Sequence, residues 1–141
     1  MATTRTANAH WEGSLREGKG RVSLDSSGIG TYDVSWAART EEPNGVTSPE
    51  ELIAAAHSSC FCMQLSSLLS KAGHQVETID TRADVTFQVG QGITGVHITT
   101  RASVPGISAE DFTTFADDAK TSCPVSSALT GTTITLDAAL A

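Results

Sequence analysis

The chain has 141 residues, a mass of 14.6 kDa and a formal charge of −7, with a sequence pI near 4.9. Its 39% hydrophobic and 18% charged residues exclude a disordered chain, and its length fits a single domain, 1–141. The net acidic surface argues against a nucleic-acid partner and against an anionic membrane surface.

The count of three cysteines is odd. The N-terminus, MATTRTANAHWEGSLREGKG, is polar and lacks the apolar run of a secretory signal. No stretch approaches the roughly 20 apolar residues that a membrane span needs. These features predict a soluble protein of a reducing cytoplasm. Its cysteines are then free thiols, metal ligands or transient redox groups.

Residues 8–40 read as an antiparallel meander punctuated by glycines, with Val22 and Leu24 alternating against Arg21, Ser23 and Asp25. Tyr32, Val34 and Trp36 alternate in the same way and predict a half-buried strand, with Arg39 at its end. Pro43 and Asn44-Gly45 mark a loop over 40–47. Ser48, Pro49 and Glu51 then form the clearest helix start, an S-x-x-E capping box with proline at the first helical position. This helix should run to about Ala72 and stop at Gly73. Ile79, Thr81, Ala83, Val85 and Phe87 share one strand face. After the turn Gly90-Gln91-Gly92, Val96, Ile98, Thr100 and Ala102 repeat that period. Ser108 caps a second helix, with Phe112, Phe115 and Ala119 on one side. Pro124 interrupts it, a short helical turn follows to Leu129, and a strand over 132–136 closes the chain.

The central helix, LIAAAHSSCFCMQLSSLLS from Leu52, has apolar residues almost all the way round. A helix of that kind is buried on every side. Its roughly 36 Å length matches the diameter of a compact globule of this size, so a homodimer with the helix inside a shared core is expected ahead of a monomer with an unusually central helix.

Cys60 lies near the middle of this helix, where a cysteine is ordinarily an inert small hydrophobe. Cys62 lies about 200° around the helix, so the two cannot chelate one metal, and no metal site is expected. Cys123 precedes Pro124 and is placed to cap the short turn, where a thiol gains reactivity. His57, three residues before Cys60, either pairs with it as a base or is a partly buried histidine bonded to a carbonyl. Arg39 is close in sequence to Glu50 and Glu51, as a buried ion pair or a solvated one.

The segments AHWEGSLREGKGRVS, SPEELIAAAHSSCFCMQLS and SCPVSSAL together resemble the osmotically inducible protein C (OsmC) family. IDTRADV, VPGISAEDF and ITLDAAL extend the likeness over nearly the whole chain. The HWEG start and the AAAH motif resemble this branch more than the sister organic hydroperoxide resistance proteins. The resemblance implies an α+β fold, an intertwined homodimer with antiparallel sheets packed around long central helices. It implies a thiol-dependent peroxidase for organic hydroperoxides, and less well for hydrogen peroxide, acting in oxidative and osmotic stress defence without a cofactor. The family's peroxidatic cysteine falls on Cys60, its resolving cysteine on Cys123, its glutamate on Glu50 and its arginine on Arg39. Cys62 stands where relatives commonly have serine and reads as a bystander.

This assignment makes chemical sense. A thiolate in an apolar site needs a cation, and Arg39 is permanently charged, planar and able to bond both sulfur and peroxide oxygens, with Glu50 holding it. Attack leaves Cys60 as a sulfenic acid, which condenses with Cys123, and an external thiol reopens the disulfide. That thiol could be a small dithiol, a lipoyl protein or a thioredoxin-like protein. Leu52, Phe61, Met63, Phe112 and Phe115 are the expected apolar surroundings. Cys60 lies ten residues beyond Glu50, about 15 Å along one helix. Arg39 and Glu50 are therefore expected to serve Cys60 of a partner chain. Competing readings are a Cys60/His57 hydrolase and a non-catalytic redox module that binds apolar ligands.

Overall fold

The computed structural model describes residues 1–141, which divide into two compact units, Met1–Leu52 and Ile53–Ala141. The N-terminal unit holds a three-stranded antiparallel sheet of β1 (Asn8–Glu12), β2 (Lys19–Ser23) and β3 (Thr31–Val34), in the order β1-β2-β3. Trp11 stands opposite Gly20 in this sheet. A Cβ on Gly20 would lie 2.5 Å from the Trp11 ring, so only glycine lets the indole lie across β2.

The strand expected through Trp36 ends at Val34. Ser35 turns the chain instead, its hydroxyl accepting from the Ala38 N–H at 3.1 Å, and starts the short helix α1 (Trp36–Thr40). Arg39 therefore sits on a helix and not at a strand end. The side-chain cap gives the backbone an alternative to continuing the ladder. None of the largest fully buried side chains belongs to this unit, and Trp11, Leu15, Ile29 and Tyr32 are exposed.

Helix α2 (Pro49–Lys71) starts at Ser48, whose hydroxyl accepts from the Glu51 N–H. The reciprocal bond of the capping box does not form, because the Glu51 carboxylate accepts from the Thr47 hydroxyl. The helix ends in a Schellman motif on Gly73 at φ +88°, with His74 N–H donating to Leu69 O and Gly73 N–H to Ser70 O.

The C-terminal unit carries the core. Strands β4 (Thr78–Gln88) and β5 (Gly92–Ser103) pair antiparallel, with Ala83 opposite Ile98 and Val85 opposite Val96, as the period-two pattern requires. Helix α3 (Ala109–Ser122) is capped by Ser108, and α4 (Pro124–Ala128) follows directly. The last strand, β6 (Thr133–Leu140), pairs parallel to β5, so the sheet is mixed where an all-antiparallel one was expected. The α3–α4 segment acts as the crossover that a parallel pairing needs.

Phe61, Leu65 and Leu69 of α2 pack with Val96, Ile98, Ala102, Phe112, Ala116 and Ala119. His57 extends the same four-residue spacing, so the fully buried ridge is His57, Phe61, Leu65 and Leu69. Glu50 aside, the rest of α2 is at most partly buried by this chain. Ala55, Ala56 and Ser59 are exposed and Met63 is 73% exposed. One sheet-and-helix layer covers one side of a helix, so the expected burial on every side is not met within one chain.

Helix α2 also corrects the reading of membrane length. At 23 residues and a mean hydropathy of 1.4 over its most apolar window, it is long and apolar enough to cross a membrane by length and composition alone. Its buried ridge identifies it as a core helix of the C-terminal unit. Leu65→Ala should cost about 2–5 kcal/mol, because the cavity would open where Leu65 is fully buried. Urea denaturation of both chains would measure it.

Candidate active site

Two clusters of sequence-predicted site residues form, one in each unit. In the N-terminal unit, Glu50 lies in the first turn of α2 and is only 6% exposed. Arg39 on α1 donates to its Oε1 from Nε at 2.9 Å and approaches the same oxygen with Nη2 at 2.8 Å. The guanidinium also stands 6.0 Å from the centre of the Trp36 ring, three residues back on α1. Glu50 Oε2 is buried without a hydrogen-bond partner. Glu51, the other candidate partner for Arg39, is occupied by Thr47.

In the C-terminal unit, Cys60 and Cys123 meet. They are 63 positions apart in sequence, and the Cys123 thiol donates to the Cys60 sulfur at 2.8 Å. Neither is in a disulfide; Cys60 is half-buried and Cys123 fully buried. A bond between them needs an approach of only about 0.8 Å. Pro124 creates this meeting, since α3 stops at Cys123 and restarts as α4. Cys123 occupies the N-cap position, as expected, but its side chain caps nothing and turns to Cys60 instead.

Burial pushes the Cys60 thiol upward, and charge on the adjacent Cys123 sulfur pushes it further. The Val125 backbone N–H, at the start of α4, acts the other way by bonding the sulfur. This N–H favours the thiolate and was not anticipated from sequence.

Cys62 faces away, as its position on the helix requires. Its thiol lies 3.2 Å from Thr81 Oγ1 and 3.8 Å from Ile79 O. No group of three His, Cys, Asp or Glu side chains is placed to hold a metal ion. Of the expected apolar surroundings, Phe61 and Phe112 are locked in the core and Met63 projects outward.

His57 is fully buried, and its Nε2 bonds the Ser126 hydroxyl on α4 at 2.7 Å. Its partner is thus a side chain, where a backbone carbonyl was expected, and it is not Cys60. Nδ1 has no partner. Desolvation holds His57 below its ordinary value of 6.5. An imidazole kept neutral by folding contributes stability above about pH 6.5, and that stability is lost as pH falls below it. His57→Gln should therefore flatten the decline in melting temperature between about pH 7 and pH 5, measured by thermal denaturation against the parent chain.

The chain is similar to known proteins along nearly its whole length. A family model described as OsmC-like protein matches residues 42–137. The protein named peroxiredoxin OsmC of Escherichia coli (strain K12) is 41% identical over 140 residues, which is 97% of this chain and 96% of that protein. A structure titled as an organic hydroperoxide resistance protein OsmC from Legionella pneumophila aligns with a TM-score of 0.72 at 21% identity, covering 99% of this chain and 98% of that one. An OsmC-like protein from Mycoplasma pneumoniae aligns at 0.74 with 13% identity, covering 99% of each chain. These two structures share the fold. By sequence along nearly its whole length, the chain belongs to the OsmC-like protein family.

Proposed function

We propose that this protein is a thiol-dependent peroxidase that reduces organic hydroperoxides to alcohols. One observation carries the proposal: two free thiols, 63 residues apart in sequence, lie in contact at 2.8 Å. The 41% identity to a peroxiredoxin supports it. The Cys60 thiolate attacks one peroxide oxygen. The O–O bond breaks, the alkoxide leaves and takes a proton to become the alcohol, and Cys60 becomes a sulfenic acid. The Cys123 sulfur then attacks the Cys60 sulfur, its proton joins the leaving hydroxide, and water departs as the disulfide forms. A dithiol reductant reopens it and is itself oxidised to a disulfide. Because Cys123 is the fully buried member, the entering thiolate attacks Cys60 and releases Cys123.

Arg39, fixed by Glu50, is the proposed cation that favours the thiolate and binds the peroxide oxygens. The protein acts as a homodimer in this reading. Two features support that state: the exposed flank of α2, and an N-terminal unit whose Trp11, Leu15, Ile29 and Tyr32 are exposed. The two units are read as one domain for the same reason. Glu50 and Cys60 share one helix ten residues apart, so Arg39 and Glu50 serve the partner's sulfur. Free thiols and a transient disulfide fit a reducing cytoplasm.

The hydrolase reading needs a base on Cys60, and His57 bonds Ser126 instead. A non-catalytic module would show no turnover.

With cumene hydroperoxide and excess dithiothreitol, the parent chain should turn over. Cys60→Ser should lose at least about a thousandfold, a scale typical for loss of a nucleophile. Inactivity of the parent chain with several dithiols would overturn the proposal. In verified mixed dimers of Cys60→Ser and Arg39→Ala chains, one intact site should restore part of the activity. No recovery would place Arg39 and Cys60 of the same chain together.

A further inference from the structure

Cys60 does not stand alone on its stripe of α2. His57, Cys60 and Gln64 are spaced by three and four residues, so they lie along one side of the helix. Each meets a residue of the α3–α4 junction. Gln64 Nε2 donates to Ser122 Oγ at 2.8 Å, Cys123 Sγ donates to Cys60 Sγ at 2.8 Å, and His57 Nε2 bonds Ser126 Oγ at 2.7 Å. A polar pair thus flanks the sulfur pair on each side.

The two flanks differ in burial. His57 is fully buried and Ser126 is 4% exposed, so water does not compete for their bond. Ser122 is exposed and Gln64 half-buried, and the Ser122 hydroxyl also donates to Asp118 O at 2.7 Å. The inner pair is therefore the firm one. Ser126 is tied to Cys123 through α4 itself, a single turn in which Ser127 N–H donates to Cys123 O at 3.0 Å.

We propose that His57 and Ser126 are a positioning pair for the resolving step: they pin α4 to α2, so that Cys123 stays within reach of Cys60 after Cys60 has been oxidised. The proposal rests on the peroxidase reading. Displacement of hydroxide from a Cys60 sulfenic acid needs the Cys123 sulfur close to Cys60 on the side away from the new oxygen, and the pinned turn holds the two sulfurs 2.8 Å apart before oxidation. Without it, a second hydroperoxide competes better. It would transfer one oxygen to the sulfenic acid, giving a sulfinic acid on Cys60 and one more molecule of alcohol.

The test is Ser126→Ala. Oxidation of Cys60 by one equivalent of cumene hydroperoxide, without reductant, should stay within about twofold of the parent rate. Closure of the Cys60–Cys123 disulfide should slow by about tenfold, the scale of one lost hydrogen bond. The share of sulfinic acid at Cys60, read by mass spectrometry, should rise by a similar factor. His57→Leu should match it, the double variant should be no worse than either, and His57→Gln, which keeps a donor, should restore closure. Equal slowing of oxidation and closure would show general loosening and overturn the proposal. So would unchanged closure in Ser126→Ala. If the parent chain forms no disulfide at all, the peroxidase reading itself fails, a separate outcome.

Discussion

The seating of α2 in the C-terminal unit sets nearly everything else about the sulfur site. Phe61, Leu65 and Leu69 must enter the core together, and burying each contributes about 1.5–3 kcal/mol. That fixes the rotation of the helix about its axis. Once the rotation is set, Cys60 and Gln64 lie beside the buried ridge, toward the α3–α4 junction, and Cys62 turns toward Thr81. The junction is equally constrained. Pro124 cannot continue α3, so Cys123 is left between two helices with its thiol free to meet Cys60. Packing and a helix break, rather than any local motif, bring the thiols together.

The same burial creates an electrostatic cost. An apolar setting raises the Cys60 thiol, while catalysis requires its thiolate. The Val125 N–H offsets part of this from within the unit. A full positive charge would offset far more, and in the proposed reaction the Arg39 guanidinium supplies it. Glu50 is held almost wholly away from water, yet one of its oxygens takes both contacts from the guanidinium. A carboxylate buried in that way keeps an arginine in a defined place. In the proposed dimer, this charge belongs to the other chain's sulfur.

What could be read from the sequence was what is decided locally. Ser48, Gly73, Ser108 and Pro124 mark their helix ends by side-chain or backbone chemistry within a few residues, and each stands where it was expected. Sequence proximity offered Glu50 or Glu51 to Arg39, and family resemblance chose Glu50 and supplied the Cys60–Cys123 pair; Arg39 bonds Glu50, and the two sulfurs meet. Three features were hidden, two because they depend on distant partners and one because its local signal was ambiguous. The parallel pairing of β6 with β5 is set by where α3 and α4 deliver the chain. The end of β3 at Val34 is decided by the Ser35 cap, whose serine fits a strand pattern equally well. The His57–Ser126 bond spans 69 positions. Its one local signal was the three- and four-residue spacing of His57, Cys60 and Gln64.

The central claim is that Cys60 and Cys123 form one redox pair and Cys62 stands outside it. Treating the fully reduced protein with one equivalent of an organic hydroperoxide, then mapping its peptides by mass spectrometry without reduction, tests this directly. A Cys60–Cys123 cross-link with the loss of two hydrogens and an unmodified Cys62 thiol is the expected result. A cross-link through Cys62, or three unchanged thiols with the hydroperoxide unconsumed, would contradict it.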